Sequence, residues 1–215
     1  MSSWRAVLGL ILVAPCIAQQ VVLKFDDAAR RTAERLRNVL TEAHVSGSLV
    51  YSADCEFHVG RFPILPHVGT PRRSGQPAEV LQSMFGESST IRVTQEPNGL
   101  VRMAEADVPT DILEVKIHHV SFAGSGTGPV GGARFAMIKI LGSPEVRAFM
   151  EKHDLTTGAF RLEGANPSQP DVLGELNEVT VSEALDYVLK AIPGYWVYEN
   201  CTTPEGARSV NFEFY

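Results

Sequence analysis

Apolar positions recur along the chain at two spacings, and the spacing assigns most of its elements. Phe25, Ala29, Ala33, Leu36, Leu40 and Ala43 return every three or four residues, which places them on one face of an α-helix. Asp26 or Asp27 stands where that helix needs an N-cap. Its other face mixes Arg30, Arg31, Arg35 and Arg37 with Asp27, Glu34 and Glu42. Asp27 and Arg31 have the favourable i, i+4 order, and the charges read as a solvated face, with a basic ligand-binding helix as the sharper alternative.

Ser48–Ser52 reads as a strand, and the Pro- and Gly-rich stretch from Asp54 to Gly75 as irregular. Pro77 suits the first turn of a short helix with Val80, Leu81, Met84 and Phe85 on its apolar face, stopped by Gly86. Thr90–Gln95 alternates polar and apolar residues, Pro97-Asn98-Gly99 turns the chain, and Leu100–Glu105 returns, so a hairpin is expected. Ile112–Phe122 is a further strand with Leu113, Val115, Ile117 and His119 on one side, and Arg134–Leu141 another.

Ser143 and Pro144 open a helix with Val146, Phe149 and Met150 on its apolar face, and Ala159–Leu162 is a strand candidate. Leu176–Val179 then leads into a capping box, Thr180 with Glu183, and a helix carrying Ala184, Leu185, Val188 and Leu189 on one face until Pro193-Gly194 stops it. Tyr195–Asn200 and Arg208–Phe214 form a second hairpin around Thr203-Pro204-Glu205-Gly206.

Strand, helix and hairpin thus run from Ser48 to Glu105 and again from Leu176 to Tyr215. The expected fold class is α+β: two βαββ-type units, each a small mixed sheet packed on short helices. In the second unit Val197 and Tyr195 are expected beneath the helix. Trp196 and Tyr198 then face outward, to be covered within the chain or presented to a partner.

The N-terminus changes the picture of where such a fold works. Arg5 precedes an apolar run from Ala6 to Ala18, and Cys16 and Ala18 supply small residues before Gln19. This is the layout of a cleaved signal peptide, and the run is short for a span, which takes about 20 residues. An uncleaved anchor, a buried helix and lipidation at Cys16 are the alternatives; Pro15 stands where a lipoprotein signal wants a small residue. The expected division is 1–18 signal peptide, 19–122 N-terminal helix plus first unit, 123–132 glycine-rich linker, and 133–215 second unit. The linker reading rests on 124–132, which holds five glycines in nine residues.

Export also changes the cysteines. Cys55 and Cys201 remain after residue 18, in an oxidising compartment. A disulfide between them and a pair of buried free thiols both stay open here. The whole chain, 215 residues with 44% hydrophobic and 20% charged, can build a core. Its net charge of −6 argues against a nucleic-acid grip. Residues 19–144 carry 13 acids and 13 bases, residues 145–215 carry 12 and 5. The excess acid is read as a solubilising surface, or else as a face for a basic partner.

Val179-Thr180-Val181-Ser182-Glu183-Ala184-Leu185-Asp186 with Tyr195-Trp196-Val197-Tyr198, and less closely Gly75-Gln76-Pro77-Ala78-Glu79-Val80-Leu81 with Thr90-Ile91-Arg92-Val93, resemble the short N-terminal (STN) module of secretins and TonB-dependent receptors. The matching segments cover under half of the chain. The resemblance implies a periplasmic βαβ-type module that docks onto another envelope protein and catalyses nothing. With the last residue at Tyr215, no barrel or secretin ring is expected in cis.

Catalytic chemistry finds little purchase. His118 and His119 are neighbours on a strand and should point to opposite faces. Cys55, His58 and His67 are looser than a structural zinc set and lack a fourth ligand. The glycine-rich run lacks the Gly-Lys-Ser/Thr of a phosphate loop, and no Gly-x-Ser-x-Gly occurs. Asn200-Cys201-Thr202 fits a glycosylation sequon, and the alternating C-terminal strand ending in Tyr215 reads as a sheet strand rather than part of a barrel. The expectation is therefore no catalytic residue, metal or cofactor. The expected partner is another periplasmic or envelope protein, with no nucleic acid and no transmembrane segment after signal removal. Tyr195, Trp196 and Tyr198 are the candidate interaction residues, on a strand whose edge could accept a partner strand. A secreted enzyme of unrecognised type is the alternative, which a pocket of convergent titratable groups would favour.

Overall fold

The structure, a computed structural model, describes residues 27–54, 65–72, 74–87, 89–123, 132–157, 170–203 and 206–215. Residues 1–18, expected as a signal peptide, Asp26, Cys55, His58, most of the glycine-rich stretch and Ala159–Leu162 lie outside the described residues. The fold is α+β. In chain order the main elements are α1 (Asp27–Glu42), β1 (Gly47–Asp54), α2 (Pro77–Phe85), β2 (Ile91–Gln95), β3 (Val101–Glu105), β4 (Lys116–Ser121), α3 (Ala133–Leu141), α4 (Pro144–Lys152), β5 (Leu155–Thr157), β6 (Glu175–Thr180), α5 (Val181–Ala191), β7 (Tyr195–Thr202) and β8 (Arg208–Phe214). A 3-10 turn, Asp111–Glu114, precedes β4.

Strands from both halves share one six-stranded sheet, in the order β2-β3-β1-β7-β8-β5, while β4 and β6 form a separate antiparallel pair. This corrects the expectation of two small sheets. The seam is the parallel pair β1–β7, which runs from Gly47 opposite Tyr195 to Asp54 opposite Thr202. Either side of the seam the same pattern recurs. β3 pairs antiparallel with β2 and parallel with β1; β8 pairs antiparallel with β7 and parallel with β5. The strand beside β8 is therefore β5, not the Leu176–Val179 segment, which leaves the sheet as β6 to meet β4.

The sheet is covered on both faces. Leu36 and Leu40 of α1 and Leu81 and Met84 of α2 lie against Leu49, Tyr51, Val101, Met103, Tyr195 and Val197. On the other face α3 and α5 cover Val50, Trp196, Tyr198, Val210 and Phe212. Thus α5 sits over Trp196 and Tyr198, and the expected placement of Val197 and Tyr195 beneath it is reversed. The reason is the second layer of helices: α1 and α2 occupy the face that the Tyr195–Val197 side needs. β1 and β3 approach closely where Gly47 faces Val101, whose carbonyl oxygen a Cβ at position 47 would meet at 2.3 Å, so a side chain there would push the strands apart.

Arg134–Leu141, expected as a strand, is helical. Ala133, Ala136, Met137, Ile140 and Leu141 are its buried residues, spaced as one face of a helix. The expected strand from Ile112 begins with the 3-10 turn and extends only from Lys116. Its side-chain alternation then slips, because Ile117 and Val120 are both buried while His118 and His119 are both exposed. Opposite His118, Glu178 adopts φ +53, a left-handed conformation uncommon for a non-glycine residue, while the pairing register holds from Lys116 with Thr180 to Ser121 with Glu175. The helices start as their caps dictate. Glu183 N–H donates to Thr180 Oγ1 at 3.2 Å, while Thr180 N–H donates to Glu183 Oε2 at 2.8 Å. α2 opens at Pro77 and closes on Gly86 at φ +76.

Candidate functional site

The sequence-derived interaction residues lie inside the protein. Tyr195 and Tyr198 have no exposed surface and Trp196 is 2% exposed. β7 has β1 on one side and β8 on the other, so its edges are already paired. This corrects both the docking face and the strand edge expected at Tyr195–Tyr198. Each aromatic hydroxyl or N–H is instead satisfied internally, as buried Tyr and Trp require. Tyr195 Oη donates to the Ala33 carbonyl at 3.3 Å, and Tyr198 Oη to the Pro109 carbonyl at 2.7 Å. Trp196 Nε1 donates to Asp186 Oδ1 at 2.8 Å.

Asp186 joins the two halves. The Arg102 guanidinium of β3 forms a two-pronged ion pair with its carboxylate, donates to Ser48 Oγ at 3.0 Å, and lies 5.4 Å from the Trp196 ring centre. The bidentate fork and the cation over the indole are the geometry for which arginine is suited. A second clamp is built on Arg208. It donates to Asp111 Oδ1 and Oδ2 at 2.6 and 3.1 Å, to Asn200 Oδ1 at 2.6 Å and to the Pro109 carbonyl at 3.0 Å. Hydrogen bonding from Arg208 holds the Asp111 carboxyl below its ordinary range. Burial pushes the Tyr198 hydroxyl up to about 12. Asn200, the sequon asparagine, is buried in this network, which leaves no room for a glycan in the folded chain.

A further polar group lies inside the sheet. Tyr51 Oη donates to Glu199 Oε2 and Asn211 Nδ2 to Glu199 Oε1, both at 2.8 Å. Burial first, then the Glu199 charge, raises the Tyr51 hydroxyl well above its ordinary value, so it stays a donor. Cys201, beside this group, is buried and disulfide-bonded. Cys55, the partner expected from the sequence, lies outside the described residues.

At the surface, His118 Nδ1 lies 2.8 Å from Glu178 Oε1, which Lys116 also approaches at 2.9 Å through Oε2; His119 Nδ1 lies 2.9 Å from Asn177 Oδ1. Lys116 and then His118 hold the Glu178 carboxyl below its ordinary range. Both histidines are exposed, each beside a different residue of β6. Among the described residues no group of three or more His, Cys, Asp or Glu side chains is placed to hold a metal.

The candidate binding site is at the free edge of β2. An open groove of about 1020 Å³ is lined by Thr70–Arg72, by Ala78, Glu79, Gln82 and Ser83 of α2 with Gly86 and Glu87 after it, and by Arg92 and Val93 of β2. The loop is tied to α2: Gly69 N–H donates to the Met84 carbonyl at 2.7 Å, and Arg72 N–H to Ser83 Oγ at 3.1 Å. Behind it, Arg35 of α1 donates to the Val68 carbonyl at 3.0 Å. The Gln82 carboxamide reaches across to β2, accepting from Val93 N–H at 2.9 Å and donating to the Ile91 carbonyl at 3.1 Å.

Those two bonds fix which way the strand faces. Ile91 and Val93 turn their peptide groups away from β3, and by the antiparallel alternation Gln95 does too. The Val93 carbonyl and Gln95 N–H therefore point along the free edge, beyond the part Gln82 covers. The charges around the groove are unevenly held. Glu79 accepts from Gln76 N–H at 3.3 Å in the capping box of α2, and Arg92 donates to the Ser89 carbonyl at 2.8 Å. The exposed Arg72 guanidinium meets no carboxylate among the described residues, and Glu87 follows the helix end at Gly86. Sequence reasoning missed this site. The signal available was β2 as the first strand of a hairpin next to a polar helix face, but which strand ends the sheet was not legible.

Comparison with protein-family models, curated proteins and solved structures finds no match for the chain. No helix among the described residues is long and apolar enough to cross a membrane.

Proposed function

We propose that the protein is an exported, non-catalytic docking module that accepts an extended segment of another periplasmic, envelope or secreted protein on the free edge of β2. The observation that carries the reading is the groove beside that edge. Val93 lines it with its carbonyl turned outward, the Gln95 N–H follows further along the same edge, and Arg72 on the wall meets no carboxylate among the described residues. Strand addition uses such main-chain groups for affinity and neighbouring side chains for choice of partner. Arg72, a planar fork suited to carboxylates, selects a segment with an acidic side chain opposite it. Export rests on Arg5 and the apolar run from Ala6 to Ala18, with loss of residues 1–18. The resemblance of the β6–α5–β7 residues to STN modules agrees with a docking role.

The test is selection from a displayed library of random peptides against the full exported chain. The reading expects acidic, extended sequences whose binding weakens about tenfold in Arg72→Ala, the loss of one charge-assisted contact worth about 1.4 kcal/mol. Selected peptides without acidic residues, or binding indifferent to Arg72→Ala, would contradict it.

A further inference from the structure

We infer that Gln82 is a strand surrogate that closes half of the β2 edge, so that an incoming segment must displace its side chain to pair along the full strand. The inference rests on the docking reading for its role in binding, but its geometry stands independently. A neighbouring strand would accept from Val93 N–H and donate to the Ile91 carbonyl. The Gln82 carboxamide makes both contacts, at 2.9 and 3.1 Å, with the same pair of groups a peptide unit carries. Glutamine and asparagine are the side chains that carry both an amide carbonyl acceptor and an amide N–H donor. An unpaired edge is a template for unwanted pairing, and proteins blunt such edges. Here the blunting is done by side chains: Gln82 covers the Ile91 carbonyl and the Val93 N–H, Arg92 also donates to the Ile91 carbonyl at 3.3 Å and Ser89 Oγ accepts from Ile91 N–H at 3.1 Å, while Gln95 stays open. An entering strand can therefore begin at Gln95 and replace the amide as it extends.

The fit of the surroundings supports a movable guard rather than a fixed strut. Gln82 is only half-buried, and it forms part of the wall of an open groove. The anchoring of α2 lies elsewhere, in buried Leu81, Met84 and Phe85. Swinging the amide out leaves those contacts in place and lets it bond water.

The test uses Gln82→Ala in the full chain, with Gln82→Met as a second variant that keeps side-chain length without the amide. Two quantities are read: amide hydrogen exchange at Val93, and the affinity of a library-selected peptide that slows exchange in β2. The guard predicts Val93 exchange about three- to tenfold faster in both variants, the loss of one hydrogen bond of modest net strength. It also predicts tighter peptide binding, by a similar factor. Unchanged Val93 exchange overturns the inference, whatever the peptides do. Faster exchange with unchanged or weaker peptide binding overturns the role in docking. Should no selected peptide protect β2 in any form of the protein, the docking reading itself has failed, and faster Val93 exchange then supports Gln82 solely as a cap on the edge.

Discussion

Removing the Asp186 carboxylate should loosen the joint between the two halves of the sheet. Asp186→Ala deletes the acceptor for Trp196 Nε1 and the partner of the Arg102 fork at one stroke. The Arg102 and Asp186 side chains are 23% and 13% exposed. Breaking a fully buried ion pair from one side costs about 3–5 kcal/mol; here the guanidinium can regain some water, which reduces that share. The indole N–H cannot, and a buried donor left without an acceptor costs about 1–3 kcal/mol. The two contributions overlap, so a loss of about 2–4 kcal/mol is expected. Asp186→Asn keeps an oxygen for the indole and should cost about half as much. In the chain beginning at Gln19, Trp196 is the sole tryptophan, so urea unfolding followed by its fluorescence reads the site directly. A double-mutant cycle with Arg102→Ala should give a coupling of about 1–3 kcal/mol. A cost below about 0.5 kcal/mol, the usual range of an indifferent surface change, or strict additivity with Arg102→Ala, would refute the clamp.

Two other outcomes follow from the same structure. Cys201 is disulfide-bonded and pairs with Ala53 of β1, and the next pair along is Thr202 with Asp54, the last residue of β1. Cys55 follows Asp54 in the sequence, so peptide mapping without reductant should recover a Cys55–Cys201 link worth about 4–5 kcal/mol in the chain-entropy account; a free Cys55 thiol would exclude it. Tyr51, Tyr195, Tyr198 and Tyr215 have hydroxyls raised chiefly by burial. Their neutral forms are favoured by folding, so their ionisation opposes the fold as pH rises past the unfolded value of about 10. Absorbance titration should show these phenols ionising together with alkaline unfolding, and early ionisation at about pH 10 in the folded chain would contradict their placement. At the acid end the lowered Asp111 carboxyl contributes stability above its unfolded value of about 4, lost as pH falls through its folded value; Asp111→Asn should flatten that part of the curve.

Local signals were legible where a cap or a turn set them. Thr180 with Glu183, Pro77 with Gly86, and Pro97-Asn98-Gly99 each mark a boundary that the structure has. Arg134–Leu141 was ambiguous because a short apolar run satisfies both periods; the helix forms because Ala133, Met137 and Ile140 can share one face toward the core. The interaction residues misled for a different reason. Reading Tyr195–Tyr198 as a strand with one open face assumed a two-layer unit, whereas β7 is buried on both faces by helices. Such a strand carries large residues at every position. Pairing of residue 47 with residue 195 depends on contacts across most of the chain, and no local pattern encodes it. Gln82 was invisible likewise, since its role exists only once α2 lies beside β2.

The docking account stands or falls on where a selected acidic peptide leaves its mark. Amide hydrogen exchange of the full chain, with and without that peptide, reads it residue by residue. The account predicts slowed exchange at Gln95, the outward N–H beyond the reach of Gln82, with the paired strands β1 and β7 unchanged. Protection confined to the β4–β6 pair or to the α4 surface, with Gln95 exchanging as in the free protein, would contradict it.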